Sequence, residues 1–301
     1  MGLPYRKTAE LFRELFGLKF VPASALGFDR KAATQGMPIY EDLGDKIRVS
    51  NVVHADETSW RSDGVGHYVR FAGNENLAFF HIDRHRSADV AQTLLGKDFA
   101  GTLVRDRYAA YNGIGVAWQV CLAHILTNAK EIHAEHALLP QTEKDPATGP
   151  FCDRLRDLCT RLCEAGQKLQ SAKLPWKEAA KIEKRSIREL DQICKQTLRL
   201  KPSETLRTFL AGPQKKSLFT FLRRPGVPPT NNHAEQSLRH LVIFRKICFG
   251  TRSDRRLQTH SILSSLVQTA RRQAVHPRKF LQILLTADTA TAQAALYNNS
   301  S

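Results

Sequence analysis

Three acidic residues stand where the surrounding sequence gives a carboxylate something to do. Asp56 follows the β-prone run KIRVSNVV (Lys46–Val53), and Asp106 closes GTLVRD (Gly101–Asp106). Glu235 is the single acid of TNNHAEQSLRHLVIFRKICFG (Thr230–Gly250). Both aspartates are expected at the carboxyl end of a strand. If those strands are parallel neighbours, their ends converge at the edge where open α/β sheets place ligands. Carboxylates brought together repel unless a positive charge lies between them, and a hard divalent cation, Mg²⁺ or Mn²⁺, serves best. Two such ions about 4 Å apart suit in-line attack on a phosphodiester, one sharpening a water or a 3′-hydroxyl and the other neutralising the leaving oxygen.

Each acid also has a purely structural reading. Asp56 and Glu57 can end a strand at a solvated turn. Asp106 sits between Arg105 and Arg107, which offers it a local ion pair. Asn232-x-x-Glu235 has the spacing of a capping box, with Asn232 as N-cap, and Arg239 lies four residues on as a favourable partner for Glu235. Spacing alone leaves both readings open.

Charge narrows the class of partner. The 301-residue chain has a formal net charge of +16, unevenly spread. Residues 1–150 carry 17 Lys+Arg against 18 Asp+Glu, residues 151–200 carry 12 against 7, and residues 201–301 carry 16 against 4. A basic half joined to a neutral half is the electrostatic footprint of a polyanion partner, most simply nucleic acid. Arg239, Arg245, Lys246 and Arg252 are the phosphate-contact candidates. Tyr108 packs or touches DNA, and His233 is a donor near the acids or a solvated first-turn residue. Cys121-x-x-His124 is half a zinc site with no second half at suitable spacing, so His124 is expected near the acids or at the start of the next helix. Cys152, Cys159 and Cys163 share one helical face, which argues for core packing. Six scattered cysteines, no signal peptide and no run of 18 apolar residues point to reduced thiols, a cytoplasmic location and no membrane span.

The elements that must position these residues follow from periodicity. RKTAELFRELFG places Ala9, Leu11, Phe12, Leu15 and Phe16 at helical spacing with Gly17 as the stop, and a second helix is expected from Pro22 to Gln35. The pair has the pattern of a helix-turn-helix and equally of two packed helices. After KIRVSNVV, the run HYVRFAGNENLAFFHID gives two strands around Gly73-Asn74-Glu75-Asn76. Ser87–Gly96 reads as a short helix, GTLVRD as a strand, and WQVCLAH (Trp118–His124) as a fifth strand running into a helix. Residues from about Ile125 to Leu222 are helical throughout, broken at Pro140–Pro150 and near Pro175. Late helices are expected at Asp254–Gln273 and Pro277–Ala287. The resulting division is a helical segment 1–45, a core 46–126, an all-α insertion 127–224, a returning core 225–275 with the acid-bearing helix, and a C-terminal helix and tail 276–301.

VVHADETSW around Asp56, GTLVRDRYAAYN around Asp106, QVCLAHIL around His124 and TNNHAEQSLRHLVIFRKICFGTRS around Glu235 stand in this order over most of the chain, from about Pro4 to Asn298. Together they resemble a transposase of the insertion sequence 66 family. That resemblance implies an α/β, ribonuclease-H-like fold: a mixed five-stranded sheet flanked by helices, with an all-α insertion before the last catalytic helix. It also implies Asp56, Asp106 and Glu235 as the metal-holding triad, with Mg²⁺ or Mn²⁺. The implied substrate is the DNA at the ends of a mobile element, cleaved and then joined to target DNA by its 3′-hydroxyl. A homo-oligomer bound to DNA at the bacterial nucleoid is the implied working form. Relatives usually carry a cysteine-rich, zinc-binding and end-recognition segment ahead of the stretch that begins here at Met1, and often arginine where Thr127 and Gln236 stand. The alternative is therefore a truncated, non-catalytic remnant that binds DNA through its basic C-terminal half.

Overall fold

The structure is a computed structural model that describes residues 3–85, 94–107 and 116–297. These fall into two compact units. The first holds residues 3–85, 94–101 and 233–297, and the second holds residues 102–107 and 116–232.

In the first unit, helices α1 (Tyr5–Phe16) and α2 (Pro22–Arg48) precede three strands, β1 (Val52–Ser62), β2 (Val65–Gly73) and β3 (Ala78–Asp83). These strands are sequential antiparallel neighbours, with Ser62 opposite Val65 and Gly73 opposite Ala78. A two-residue turn, Asp63-Gly64, joins β1 to β2, and both residues have positive φ (50° and 79°). Such turns match the right-handed twist of a hairpin and favour Asp-Gly for that reason. The second hairpin is the expected one at Gly73–Asn76. There the Asn74 side-chain oxygen accepts from the N–H groups of Asn76 and Leu77, each at 2.9 Å.

Two expectations are corrected here. The second helix does not stop at Gln35 but runs through Pro38 to Arg48. Its buried stripe of Ile39, Leu43 and Ile47 overrides the local cost of an interior proline. Gly36 allows close approach, since a Cβ there would stand 2.5 Å from Leu266. Because Lys46–Arg48 remain helical, the strand predicted at Lys46–Val53 starts only at Val52 and continues to the Asp63-Gly64 turn. Asp56 therefore lies within β1 and not at its carboxyl end.

The unit is completed by α7 (Asn232–Cys248, whose first residue belongs to the second unit), α8 (Asp254–Arg272), α9 (Pro277–Thr286) and α10 (Thr289–Leu296). One sheet face, through Val69, Phe71, Phe80 and Ile82, packs on Ala234, Leu238 and Leu241 of α7. Across the other face lies α2, where Tyr40 stacks on Phe79 at 4.6 Å and donates to the Phe80 carbonyl at 3.0 Å. The outer edge of β3 is closed by side chains of α8. Thr269 Oγ1 accepts from Ala78 N at 3.0 Å, Ser265 Oγ from Phe80 N at 2.8 Å, and Ser261 Oγ from Ile82 N at 3.1 Å. The four-residue spacing on the helix matches the two-residue spacing on the strand, since both advance about 6 Å.

In the second unit, β4 (Thr102–Arg105) and β5 (Ala117–Val120) pair in parallel, Thr102 opposite Ala117. Helices α3 (Leu122–Leu138), α4 (Thr148–Gln170), α5 (Ala179–Ile193) and α6 (Lys201–Ala211) follow. Buried Gln119 ties β5 to the segment after α6, accepting from Phe221 N at 2.9 Å and donating to the Leu218 carbonyl at 3.2 Å. The cysteine face of α4 is core, as its spacing indicates. Cys152 and Cys159 are buried beside Leu155 and Leu158, and burial pushes the Cys152 and Cys163 thiols up to about 11. Three antiparallel strands and two parallel ones, flanked by helices, make the chain α/β with strands of mixed direction. Most of the predicted helix Ser87–Gly96 lies outside the described residues, as does Tyr108.

The hydroxyl row generates a direct expectation. Ser265→Ala leaves the buried Phe80 N–H without its acceptor and should destabilise the protein by about 1–3 kcal/mol. Urea unfolding followed by circular dichroism measures it. A change below about 0.5 kcal/mol would mean that another group takes over the N–H.

Candidate active site

In the first unit, strand alternation decides which way the acids of β1 face. Asp56 pairs with Phe71 across the β1–β2 ladder, which puts it on the face covered by α7. Its Oδ1 accepts from the Glu57 N–H at 2.8 Å, and the residue is half-buried. Two residues earlier on the same face, the His54 ring lies 4.8 Å from the ring of His233 on α7, and His233 also lies 6.2 Å from Phe71. These contacts seat the first turn of α7, which carries Glu235 with its side chain exposed. Asp56 and Glu235 thus belong to one side of one sheet.

Glu57 is neither solvated nor a turn residue. It points to the opposite face, 8% exposed, with one oxygen 3.6 Å from the guanidinium of its cross-strand partner Arg70, itself 2% exposed. The helix begins at Asn232, one residue earlier than the capping-box reading requires, so Asn232 is the first helical residue and not the N-cap.

A residue that the sequence does not single out holds α7 in place. Arg272, in the last turn of α8, donates through Nη1 to the carbonyls of Asn74 and Leu77 and through Nη2 to Ser237 Oγ at 2.6 Å. Ser237 in turn donates to the His233 carbonyl at 2.5 Å. The guanidinium also lies 5.2 Å above the Phe71 ring. Burial lowers its pKa to about 10, which still leaves it charged at neutral pH. In sequence it reads as an ordinary basic end of a helix, so only its tertiary contacts reveal it.

In the second unit, Asp106 follows β4 directly and is half-buried. Arg105 before it is fully buried, stacks 3.6 Å from the centre of Trp118 and donates to the Asp106 carbonyl at 3.2 Å. Arg107 lies over Phe209 at 5.1 Å, and burial lowers its pKa. The corner from β5 to α3 sits at the same end of the strand pair, where Cys121 N donates to the Arg105 carbonyl at 2.9 Å. That corner holds the segment leading into α7. Leu122 N donates to the Pro229 carbonyl at 3.0 Å, and Cys121 Sγ accepts from Asn231 N at 3.1 Å. The Cys121 sulfur therefore has a structural use in backbone anchoring.

The candidate cations differ in how they are engaged. Arg239, Lys246 and Arg252 are exposed. Arg245 instead clamps α7 to β1, donating to the Ser59 carbonyl and to Ser59 Oγ at 2.5 Å. The rings of His240 on α7 and His260 on α8 lie against Phe80 and Trp60 respectively. Burial lowers the pKa of His240 to about 4, and burial with nearby Arg256 lowers that of His260 to about 3. No helix of the described residues is long and apolar enough to cross a membrane.

Residues 1–259 match the family described as "Transposase IS66 family". No curated protein matches the chain.

Two measurements check this construction. Arg272→Met removes the shared donor from Asn74, Leu77 and Ser237 and should lower stability by about 2–4 kcal/mol, read from urea unfolding. The histidines set a pH dependence. Both are held neutral in the fold, so unfolding takes up protons once the pH falls below the unfolded value of about 6.5. Their stabilisation is complete above that pH and should fall by about 2–3 kcal/mol per pH unit towards pH 4. Titration of urea midpoints for the protein and for His260→Gln should show the variant with the shallower slope.

Proposed function

Since the chain belongs to the IS66 family of transposases, we propose that it cuts DNA at the ends of a mobile element and joins the freed 3′-hydroxyl to target DNA, with Asp56, Asp106 and Glu235 as its acidic triad. The observation that carries this reading is the seating of α7. The His54–His233 contact fixes the turn bearing Glu235 over the sheet face to which Asp56 points. Asp106, for its part, lies at the carboxyl end of the parallel pair β4–β5, the edge that α/β sheets use for ligands. Three antiparallel strands, then two parallel strands, then an acid-bearing helix is the element order of a ribonuclease-H-like core, which is the fold we assign.

Transposases of this kind usually act with a divalent metal ion, and the donor set suits one. Carboxylate oxygens are hard ligands that favour Mg²⁺ or Mn²⁺. The soft sulfur of Cys121, at the corner beside the end of β4, already accepts from Asn231. When bound, such ions supply a nucleophile at neutral pH and charge stabilisation for the leaving oxygen. The chain's own part is to hold the three carboxylates and the DNA. Asp56 is oriented by the Glu57 N–H, Glu235 stands exposed on the first turn of its helix, and Arg239, Lys246 and Arg252 offer exposed charge to phosphates. We place the working form on DNA as a homo-oligomer, in the bacterial cytoplasm at the nucleoid.

The test is cleavage and joining of a labelled element end with Mg²⁺ or Mn²⁺. Asp56→Asn, Asp106→Asn and Glu235→Gln should each lower the rate on the order of a thousandfold or more. Circular dichroism and metal-free DNA binding should stay as in the parent. A variant that cleaves normally removes its residue from the triad. A parent protein that binds DNA yet never cleaves would make the chain a non-catalytic DNA-binding remnant.

A further inference from the structure

The second unit carries a row of cations that the site above does not use. Lys181, Lys184, Arg185 and Arg188 of α5 are exposed, and Lys177 continues the row in the 3-10 turn Trp176–Glu178 just before the helix. At 3.6 residues per turn the four helical cations fall within an arc of about 100°, opposite the side that buries Ser186, Leu190 and Ile193. From residue 177 to 188 the row extends about 17 Å.

The acids around this row are drawn elsewhere. Glu183 is bound by Arg223 at 2.7 Å, Glu189 by Arg161 at 2.5 Å and Asp191 by Lys215 at 2.7 Å, each partner coming from another element of the same unit. Within the row, Glu178 pairs with Lys181 at 3.1 Å, an exposed contact worth little. Among the described residues, Lys177, Lys184, Arg185 and Arg188 have no acidic partner. An ordinary solvated surface interleaves both signs. Here each acid of the helix proper is neutralised from behind, and the outward arc keeps its charge.

We infer that this face of α5 is a DNA-docking surface that grips duplex phosphates, in addition to the cations on and after α7. The inference rests on the reading of the chain as a DNA-cutting enzyme and extends it to the helical unit. A duplex presents one negative charge per roughly 1.7 Å of axis, so about 17 Å of it offers about ten phosphates to the row. The arc holds no apolar side chain, only Gln192 besides the basic residues. Protein partners bury an apolar centre, and the helical arc has none to offer; Trp176, 38% exposed in the turn beside Lys177, stands at its end.

The experiment is fluorescence anisotropy of the full chain with a duplex of about 30 base pairs, without divalent metal, across a NaCl series. The triple variant Lys184→Gln, Arg185→Gln, Arg188→Gln should bind on the order of a hundredfold more weakly near 0.1 M salt. Its plot of log affinity against log salt should be shallower by about 2–3, close to 0.9 for each phosphate that the variant no longer neutralises. The charge-conserving triple Lys184→Arg, Arg185→Lys, Arg188→Lys should keep the parent slope, which separates an effect of charge from an effect of structure. A parent that binds steeply beside a glutamine variant of equal slope overturns the docking surface and leaves the proposed function standing. A parent that does not bind DNA at all overturns both. Unchanged duplex binding with weakened binding to polyglutamate would make the row a surface for acidic protein and overturn the inference as well.

Discussion

A buried strand edge cannot leave its N–H groups without acceptors, and the way β3 meets that requirement organises the first unit. Along that edge three hydroxyls of α8 stand in for a neighbouring strand, at Ser261, Ser265 and Thr269. This fixes both the rotation and the register of α8 along the strand. Three residues beyond the last hydroxyl, Arg272 reaches back to the β2–β3 turn and across to Ser237. The position of the acid-bearing helix is thus set by an edge strand, through one helix and one guanidinium. The placement of Glu235 over the sheet face that carries Asp56 depends on that series.

The same economy applies to positive charge. A net of +16 suggests a uniformly attractive surface, but several cations are committed inside the protein. Arg70 faces Glu57, Arg105 stacks on Trp118, Arg245 clamps β1, and Arg272 holds carbonyls. Charge available to a polyanion is therefore smaller than the composition implies and more local. What remains outward is arranged on particular helix faces, and geometry rather than total charge decides where a phosphate backbone can lie.

Much of this is legible in the chain itself, and the failures have physical causes. Local signals serve well where structure is local: Gly17 ends α1, Gly73–Asn76 makes a hairpin, and the cysteine spacing marks the core face of α4. The first hairpin escapes a periodicity reading because ETSWRSDGVG has little apolar alternation, although its Asp-Gly pair is the signal that could find it. With that turn unread, Asp56 falls at a strand end instead of within the strand. Pro38 hides the second half of α2, because burial against the sheet is a tertiary effect that propensity does not see. Glu57 and Arg272 look like surface residues in sequence, and only the cross-strand Arg70 for the one, and contacts from distant parts of the chain for the other, show their use. Motifs reveal the acidic residues, whereas the groups that orient them carry no local signature.

The sealing of β3 also has a history during synthesis. The strand and the hydroxyls that close it are separated by 179 to 191 residues. At ordinary translation speeds the β1–β3 meander leaves the ribosome roughly 10–40 s before α8 exists. For that interval the meander has the β3 edge without its hydroxyls, and an apolar face that includes Phe71 and Phe80 without α7 to cover it. The nascent protein passes through a stage in which its own order is the hazard, and the helical unit, made in the meantime, must be finished before the sheet can be.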